Sequence, residues 1–310
     1  MRILVTGSAS PLAMALLPTL SADERIEQII GLDDRETGFN HGHFTQVLLD
    51  MRSPQVTRVV AGMDAIVHLA TAASLDAGAE RLADRALLND FTVHGAENVF
   101  RCAAEQGVRC LVHVSSAAVY ALPARQRPIT EQHPRGALPG FAWAEDQVAL
   151  EDWLDVFQTE NAAVRLVRLR PHLLVGRGAS PRVRALLRAP FSIRLAGKPP
   201  RLQCVHVDDL ARAILHALFR KDADGVFNLA CANAATLTEM QRWHARGLVP
   251  LPFPLAYRLL RLGWRLGFSA EPTWMEALRH EIVLDTTRAR RRLGWKPHYD
   301  SVETCLKATD

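Results

Sequence analysis

Short apolar runs alternate with segments of helical periodicity through the first 170 residues. Runs at 2–6, 26–32, 65–70, 109–115 and 164–169 read as strands, and segments at 11–21, 55–61, 81–106 and 143–158 read as helices. The run Cys110-Leu111-Val112-His113-Val114 does not alternate between apolar and polar; it is apolar on both faces, as a buried parallel strand must be. Strands and helices that alternate in this way predict an α/β fold with a doubly wound parallel sheet.

After Pro171 the rhythm changes. A Gly/Pro/Arg-rich stretch runs from Gly176 to Arg201, followed by a helix at 208–219 that Asp208 or Asp209 would cap, and a strand at Val226-Phe227-Asn228-Leu229. Residues 232–310 carry Pro250, Pro252, Pro254 and Pro272 between short helical pieces. The pattern predicts a larger unit of 1–170 plus 203–231, a smaller C-terminal substrate or lid unit of 171–202 plus 232–310, and a ligand cleft between them.

The composition narrows the function classes. At 310 residues and 48% hydrophobic content the chain builds a large core, which excludes disorder as its main state. Its 37 basic and 33 acidic residues are interspersed, so the formal charge of +4 describes a basic globular surface and not a nucleic-acid-binding one. The cysteines Cys102, Cys110, Cys204, Cys231 and Cys305 are odd in number and form no Cys-x-x-Cys. They suit a reducing cytoplasm, and neither disulfides nor a metal site are expected. Met1 leads directly into a strand and no apolar segment reads as a leader or a span, so a cytoplasmic protein is expected.

Chemistry enters at the first turn. Val5-Thr6-Gly7-Ser8-Ala9-Ser10-Pro11-Leu12-Ala13 joins the first strand to the first helix, where a dinucleotide fold keeps its glycine-rich phosphate turn. Gly7 holds the first glycine position of Gly-x-x-Gly-x-x-Gly, Ser10 the second and Ala13 the third. Ser10 brings a side chain to the point of closest backbone approach, and Pro11 removes one N–H donor, so the turn reads as weakened. Asp33, 20 residues beyond Ala13, sits where a carboxylate meets the adenosine ribose, which favours NAD over NADP; Asp34 is its alternative.

In this order, Leu49-Asp50-Met51-Arg52, Asp64-Ala65-Ile66-Val67-His68-Leu69-Ala70-Thr71, Val114-Ser115-Ser116-Ala117-Ala118-Val119-Tyr120, Leu169-Arg170-Pro171 and Val205-His206-Val207-Asp208-Asp209-Leu210-Ala211 make the chain resemble an extended short-chain dehydrogenase/reductase of the NAD-dependent epimerase/dehydratase family. The resemblance implies a Rossmann-type sheet, NAD held by Gly7, Ser10, Pro11, Leu12, Asp33, Asp50, Met51, Leu69, Ala70, Thr71, Val114 and Pro171, and a small-molecule substrate such as a nucleotide sugar. It also implies a homodimer built on the helices at 81–106 and 143–158, with Trp153, Leu154 and Phe157 supplying apolar area, and structural roles for His68 and His206.

The family's reaction needs a Tyr-x-x-x-Lys pair assisted by a Ser or Thr. Ser116 fills the last role, but Trp143 falls at the tyrosine position and Gln147 at the lysine position, counted back from the helix acid Glu151. Trp has no proton that titrates near neutrality, and Gln carries no charge to activate one. The only tyrosines are Tyr120, Tyr257 and Tyr299 and the first lysine is Lys198, so no Tyr-x-x-x-Lys exists in any register. Ala117 and Ala118 also exclude the Asp-Glu pair of sugar 4,6-dehydratases. Tyr120 is a packing residue in the family, and Glu145 and Asp146 are expected to face solvent. Three readings stay open: a nucleotide-binding relative without the standard redox step, an active enzyme using Ser116 and another acid, and a scaffold that binds no nucleotide.

Two further surfaces carry candidate chemistry. Arg182, Arg184, Arg188, Arg194 and Arg201 would clamp a diphosphate or face solvent. The stretch Leu255 to Phe268 is an amphipathic helix, read as a lid in preference to a membrane-surface element.

Overall fold

A computed structural model describes residues 1–70, 84–124, 128–179, 181–243, 248–266 and 271–308, with the side chains of 181 and 182 also left out. Its centre is a seven-stranded parallel sheet of β1 (Arg2–Thr6), β2 (Gln28–Asp33), β3 (Phe44–Leu48), β4 (Ala65–His68), β5 (Cys110–Val114), β6 (Arg165–Pro171) and β11 (Gly225–Leu229), in the order β11-β6-β5-β4-β1-β2-β3. The strand order steps outward from β1 in both directions, which makes the sheet doubly wound as the alternation predicts. β3 was not predicted: Phe44-Thr45-Gln46-Val47-Leu48 is an edge strand with no fully buried residue, so it lacks the apolar run that marks the inner strands.

Helices cover both faces. α1 (Pro11–Ser21) lies against α7 (Val207–Phe219) on one side, over a core that includes Leu16, Leu17, Leu20, Ile214 and Phe227. On the other side α2 (Val56–Val60), α4 (Gly95–Glu105) and α5 (Ala142–Glu160) lie over Leu4, Ile66, Val99, Phe100, Leu111, Leu150 and Leu154, while the short α3 (Arg85–Asn89) buries no residue. A π-helical turn, Asp90–His94, joins α3 to α4.

Leu154 and Phe157 point into this core and are at most 3% exposed, which corrects their assignment to a dimer surface. On a helix they share a side with Leu150, whereas Val156 faces outward at 55% exposure.

α7 begins one residue earlier than expected, and its N-cap is His206, whose Nδ1 accepts from the Asp208 N–H at 3.3 Å. Neither Asp208 nor Asp209 caps it. Asp209 is fully buried, accepts from the backbone N–H groups of His298 and Tyr299, and pairs with Arg212. It thereby ties the C-terminal segment to α7.

Smaller pieces follow β6: β7 (Leu173–Val175), α6 (Pro181–Leu187), β8 (Phe191–Arg194), β9 (Arg201–Leu202), β10 (Cys204–His206), β12 (Ala235–Thr236), α8 (Leu237–Arg242), β13 (Val249–Pro252), α9 (Phe253–Leu266), α10 (Pro272–Ala277) and α11 (Val302–Lys307). Val175, Leu187, Leu202, Cys204, Met240, Val302 and Leu306 form a separate apolar cluster among them. Ala289, Leu293 and Trp295 join the core of the large sheet instead. No described helix is long and apolar enough to cross a membrane.

Candidate functional site

The inner strands end in register. Thr6 pairs with Leu32 and His68, His68 with His113, and Val114 with Leu169. Gly7, Asp33, Leu69, Ala70, Val114 and Pro171 therefore emerge on one carboxyl edge of the sheet, where doubly wound folds bind ligands. Thr71 lies outside the described residues.

Gly7 has φ +71°, and a Cβ on it would stand 2.8 Å from the Ala70 backbone. Only glycine satisfies both demands. Ser10 turns its hydroxyl toward the helix, where Oγ accepts from the Ala13 N–H at 3.1 Å as the N-cap of α1. Pro11 occupies the first helical position, whose N–H has no partner within a helix, and its neighbour Leu12 packs against the core. Asp33 Oδ2 accepts from the Ala9 N–H at 2.9 Å and Oδ1 from the Arg35 N–H at 3.1 Å. The buried acid at the end of β2 thus fixes the turn, while Asp34 stays exposed. Partial desolvation and the neighbouring Asp33 carboxylate push the Asp34 pKa up.

A glycine turn on a helix N-terminus beside a carboxylate fits the diphosphate and ribose of a dinucleotide. Asp50 is paired with Arg52 at 2.5 Å, and this contact holds its carboxyl below the usual range. Met51 is buried against Gly95.

Gly178 was missed. A Cβ on it would meet the Pro11 carbonyl oxygen at 2.3 Å, so the 176–179 turn rests on the first turn of α1. The Arg182 side chain lies outside the described residues, and the other four arginines are spread over separate places. Arg184 and Arg188 line a small pocket with Gly176 and Ala179, Arg194 lines another cavity with Lys198 and Arg279, and Arg201 donates to the Ala234 carbonyl at 2.6 Å.

α5 carries the remaining candidate residues. It packs against the 3₁₀ turn Ala117–Val119, whose N-cap is Ser116; its Oγ accepts from the Ala118 N–H at 3.1 Å. Trp143 stacks on Trp274 with ring centroids 5.2 Å apart, and its buried indole N–H has no hydrogen-bond partner among the described residues. Gln147, one turn along, is fully buried beside His113, and among the described residues neither amide atom makes a well-aligned hydrogen bond. Asp146 is 2% exposed and held by Arg85 and Asn89 at 2.6 and 2.5 Å, which corrects the expectation that it faces solvent. Glu145 is half-buried and accepts from the Gly140 N–H at 2.9 Å.

Tyr120 is no replacement acid. It is fully buried and donates to Asn228 Oδ1 at 2.5 Å, and burial pushes its pKa up to about 12, outweighing the nearby Arg170 cation.

A row of polar side chains crosses the sheet beneath α5. Thr6 meets His68 Nδ1 at 2.8 Å, the His68 and His113 rings are 5.5 Å apart, and Arg168 follows on β6. Burial drives the His113 pKa down to about 3, reinforced by the Arg168 and Arg170 charges, while Gln147 opposes the shift. His68 is pushed well below its ordinary value by burial and by His113. Both histidines are neutral structural groups near neutrality, as is His206, whose ring lies 4.4 Å from that of Tyr299.

The fold also gathers Cys204, Cys231 and Cys305, whose sulfurs lie within 4.8 Å of one another in full burial. Sequence spacing gave no hint of this, because the three sit on β10, after β11 and on α11. Such a trio has the donor chemistry for a soft cation. No fourth ligand joins it among the described residues, and Cys231 and Cys305 lie 3.4 Å from the carbonyl oxygens of Asn233 and Tyr299.

A cavity of about 530 Å³ lined by Arg25, Arg212, His216 and Arg220 opens at the C-terminal end of α7, at the opposite edge of the sheet from this site.

The UDP-glucose 4-epimerase of Mycolicibacterium smegmatis is 28% identical to this chain over 330 residues, covering 100% of this chain and 98% of that protein. The UDP-glucose 4-epimerase of Thermotoga maritima, solved with UDP-glucose, superposes with a TM-score of 0.77 at 18% identity, covering 100% of this chain and 97% of that one. The Thermus thermophilus UDP-glucose 4-epimerase complex with NAD gives 0.73 at 19% identity, covering 100% and 99%. Residues 3–230 match the model of the NAD dependent epimerase/dehydratase family, and the chain belongs to that family.

Proposed function

We propose that this protein binds NAD along the carboxyl edge of its sheet and takes a nucleotide sugar in the adjoining cleft, without hydride transfer driven by a Tyr/Lys pair. The cradle made by Gly7, the Ser10-capped helix and Asp33 supports NAD, and the Asp33 carboxylate disfavours the 2′-phosphate of NADP. NAD, when bound, supplies a hydride acceptor. The chain's own part is to hold the ribose and diphosphate and to exclude water.

One observation carries the reading: the α5 positions that should offer an acid and its activating charge hold Trp143 and Gln147, and no lysine precedes Lys198. Ser116 can orient a hydroxyl, but it cannot supply the missing proton-transfer group at neutral pH. Structures of relatives with UDP-glucose and with NAD support the ligand classes. On this reading the substrate unit is 171–202 plus 232–310, excluding Ala289 to Trp295, and the larger unit is 1–170 plus 203–231.

Calorimetric titration with NAD, NADP and UDP-glucose tests the reading. NAD should bind more tightly than NADP; no binding of either nucleotide overturns it. Two copies would pair through α3, α4 and α5 with Leu87 and Val156 outermost, and sedimentation showing only monomer at micromolar concentration overturns that part.

A further inference from the structure

Among the described residues eight large apolar side chains are exposed, and four of them lie on α9. Leu255, Leu259, Leu262 and Leu266 are 46%, 53%, 55% and 59% exposed. Their spacing puts them in one narrow stripe along the helix. The helix docks on the chain by a different side, where Ala256 is buried and Tyr257, Leu260 and Trp264 are half-buried. A lid closing on a substrate would bury its leucines; these face away from the protein.

Arg258, Arg261 and Arg265 run along one flank of the stripe, all exposed, and α9 contains no acidic residue. Val249, just before the helix, is 62% exposed. At the start of α9 a cavity of about 470 Å³ is walled by Arg194, Lys198 and Arg279 together with Pro252, Phe253 and Pro254. Arg279 of this cavity pairs with Glu276 at 2.7 Å.

We propose that α9 docks this face of the protein on an anionic lipid surface. The leucine stripe enters the boundary between headgroups and acyl chains, and Arg258, Arg261 and Arg265 meet lipid phosphates, assisted by the basic cavity beside Phe253. Charge complementarity selects this occupant: a second copy of the chain would bring no acid on α9 to answer the three arginines. The docking is peripheral, because the 14-residue helix is too short to span a bilayer.

The test is co-sedimentation of the full chain with vesicles of phosphatidylcholine alone and of phosphatidylcholine mixed with phosphatidylglycerol, at low and high salt. The wild type should bind only the mixed vesicles, and less at high salt. Leu259→Glu with Leu262→Glu should weaken binding on the order of 100-fold or more, and Arg258→Gln with Arg261→Gln and Arg265→Gln about 100-fold. All these side chains are exposed, so the melting temperature should hold. Failure of the wild type to bind mixed vesicles at low salt overturns the proposal. So does undiminished binding by either variant. Dissociation of an oligomer by Leu259→Glu with Leu262→Glu, without vesicle binding by the wild type, assigns the stripe to a contact between copies and also overturns it.

Discussion

Ser115 Oγ donates to Glu151 Oε1 at 2.6 Å, which locks the end of β5 to α5 one turn beyond Gln147. Glu151 also takes the Arg170 guanidinium, Nε at 2.8 Å, and both residues are at most 1% exposed. Burial alone would raise the Glu151 pKa, but the Arg170 hydrogen bond and charge outweigh it and hold the carboxyl below its usual range. Glu151→Ala leaves a buried guanidinium without its partner and should cost about 3–5 kcal/mol. Urea denaturation at pH 7 measures it; a loss under about 1 kcal/mol contradicts the locking role.

Acid should destabilise the protein well above the carboxylate range. His68 and His113 have folded pKa values below the unfolded 6.5, about 3 for His113, so the unfolded chain binds more protons throughout that window. Their contribution is fully present above pH 6.5 and is lost as pH falls toward about 3. The loss is on the order of several kcal/mol. Unfolding midpoints measured from pH 7 to pH 4 should fall, and His113→Gln should flatten the slope. An unchanged slope in the variant refutes the assignment.

Much of this was legible in the sequence. Cys110–Val114 reads as a buried strand because it is apolar on both faces, and the Gly7 turn and Asp33 are local signals between predicted elements. β3 was not legible, since an edge strand needs only half a pattern. Asp146 was misread because Arg85 and Asn89, which bury it, come from an element about 60 residues away in the chain. The Cys204, Cys231 and Cys305 trio and the contact of Gly178 with Pro11 are products of tertiary folding with no local trace.

Asp33 has two roles that substitution separates. Asp33→Asn keeps an acceptor for the Ala9 N–H but removes the charge that repels a 2′-phosphate. The NAD-over-NADP preference should therefore fall by at least about tenfold, ~1.4 kcal/mol, while the fold is retained. Asp33→Ala should loosen the turn and weaken both nucleotides. Equal or tighter binding of NADP by the wild type would falsify the ribose assignment.

Among the described residues Gln147 keeps two buried polar atoms without a well-aligned hydrogen bond, the His113 ring being its polar neighbour, which costs up to about 1–3 kcal/mol. Gln147→Met should stabilise the unliganded protein by up to that amount and, on the proposed reading in which the amide meets the nicotinamide ribose, weaken NAD binding. Thermal melts with and without NAD measure both effects. Stabilisation with unaltered NAD affinity would remove Gln147 from the site.

The central claim is tested most directly by the nicotinamide absorbance of the NAD-loaded wild type mixed with UDP-glucose. The account predicts stable NAD binding, no reduced nicotinamide and no 4-epimer, with Ser116→Ala indistinguishable from wild type. Reduction or epimerisation that Ser116→Ala slows by about 100-fold or more, as expected of an essential proton-transfer group, would contradict it.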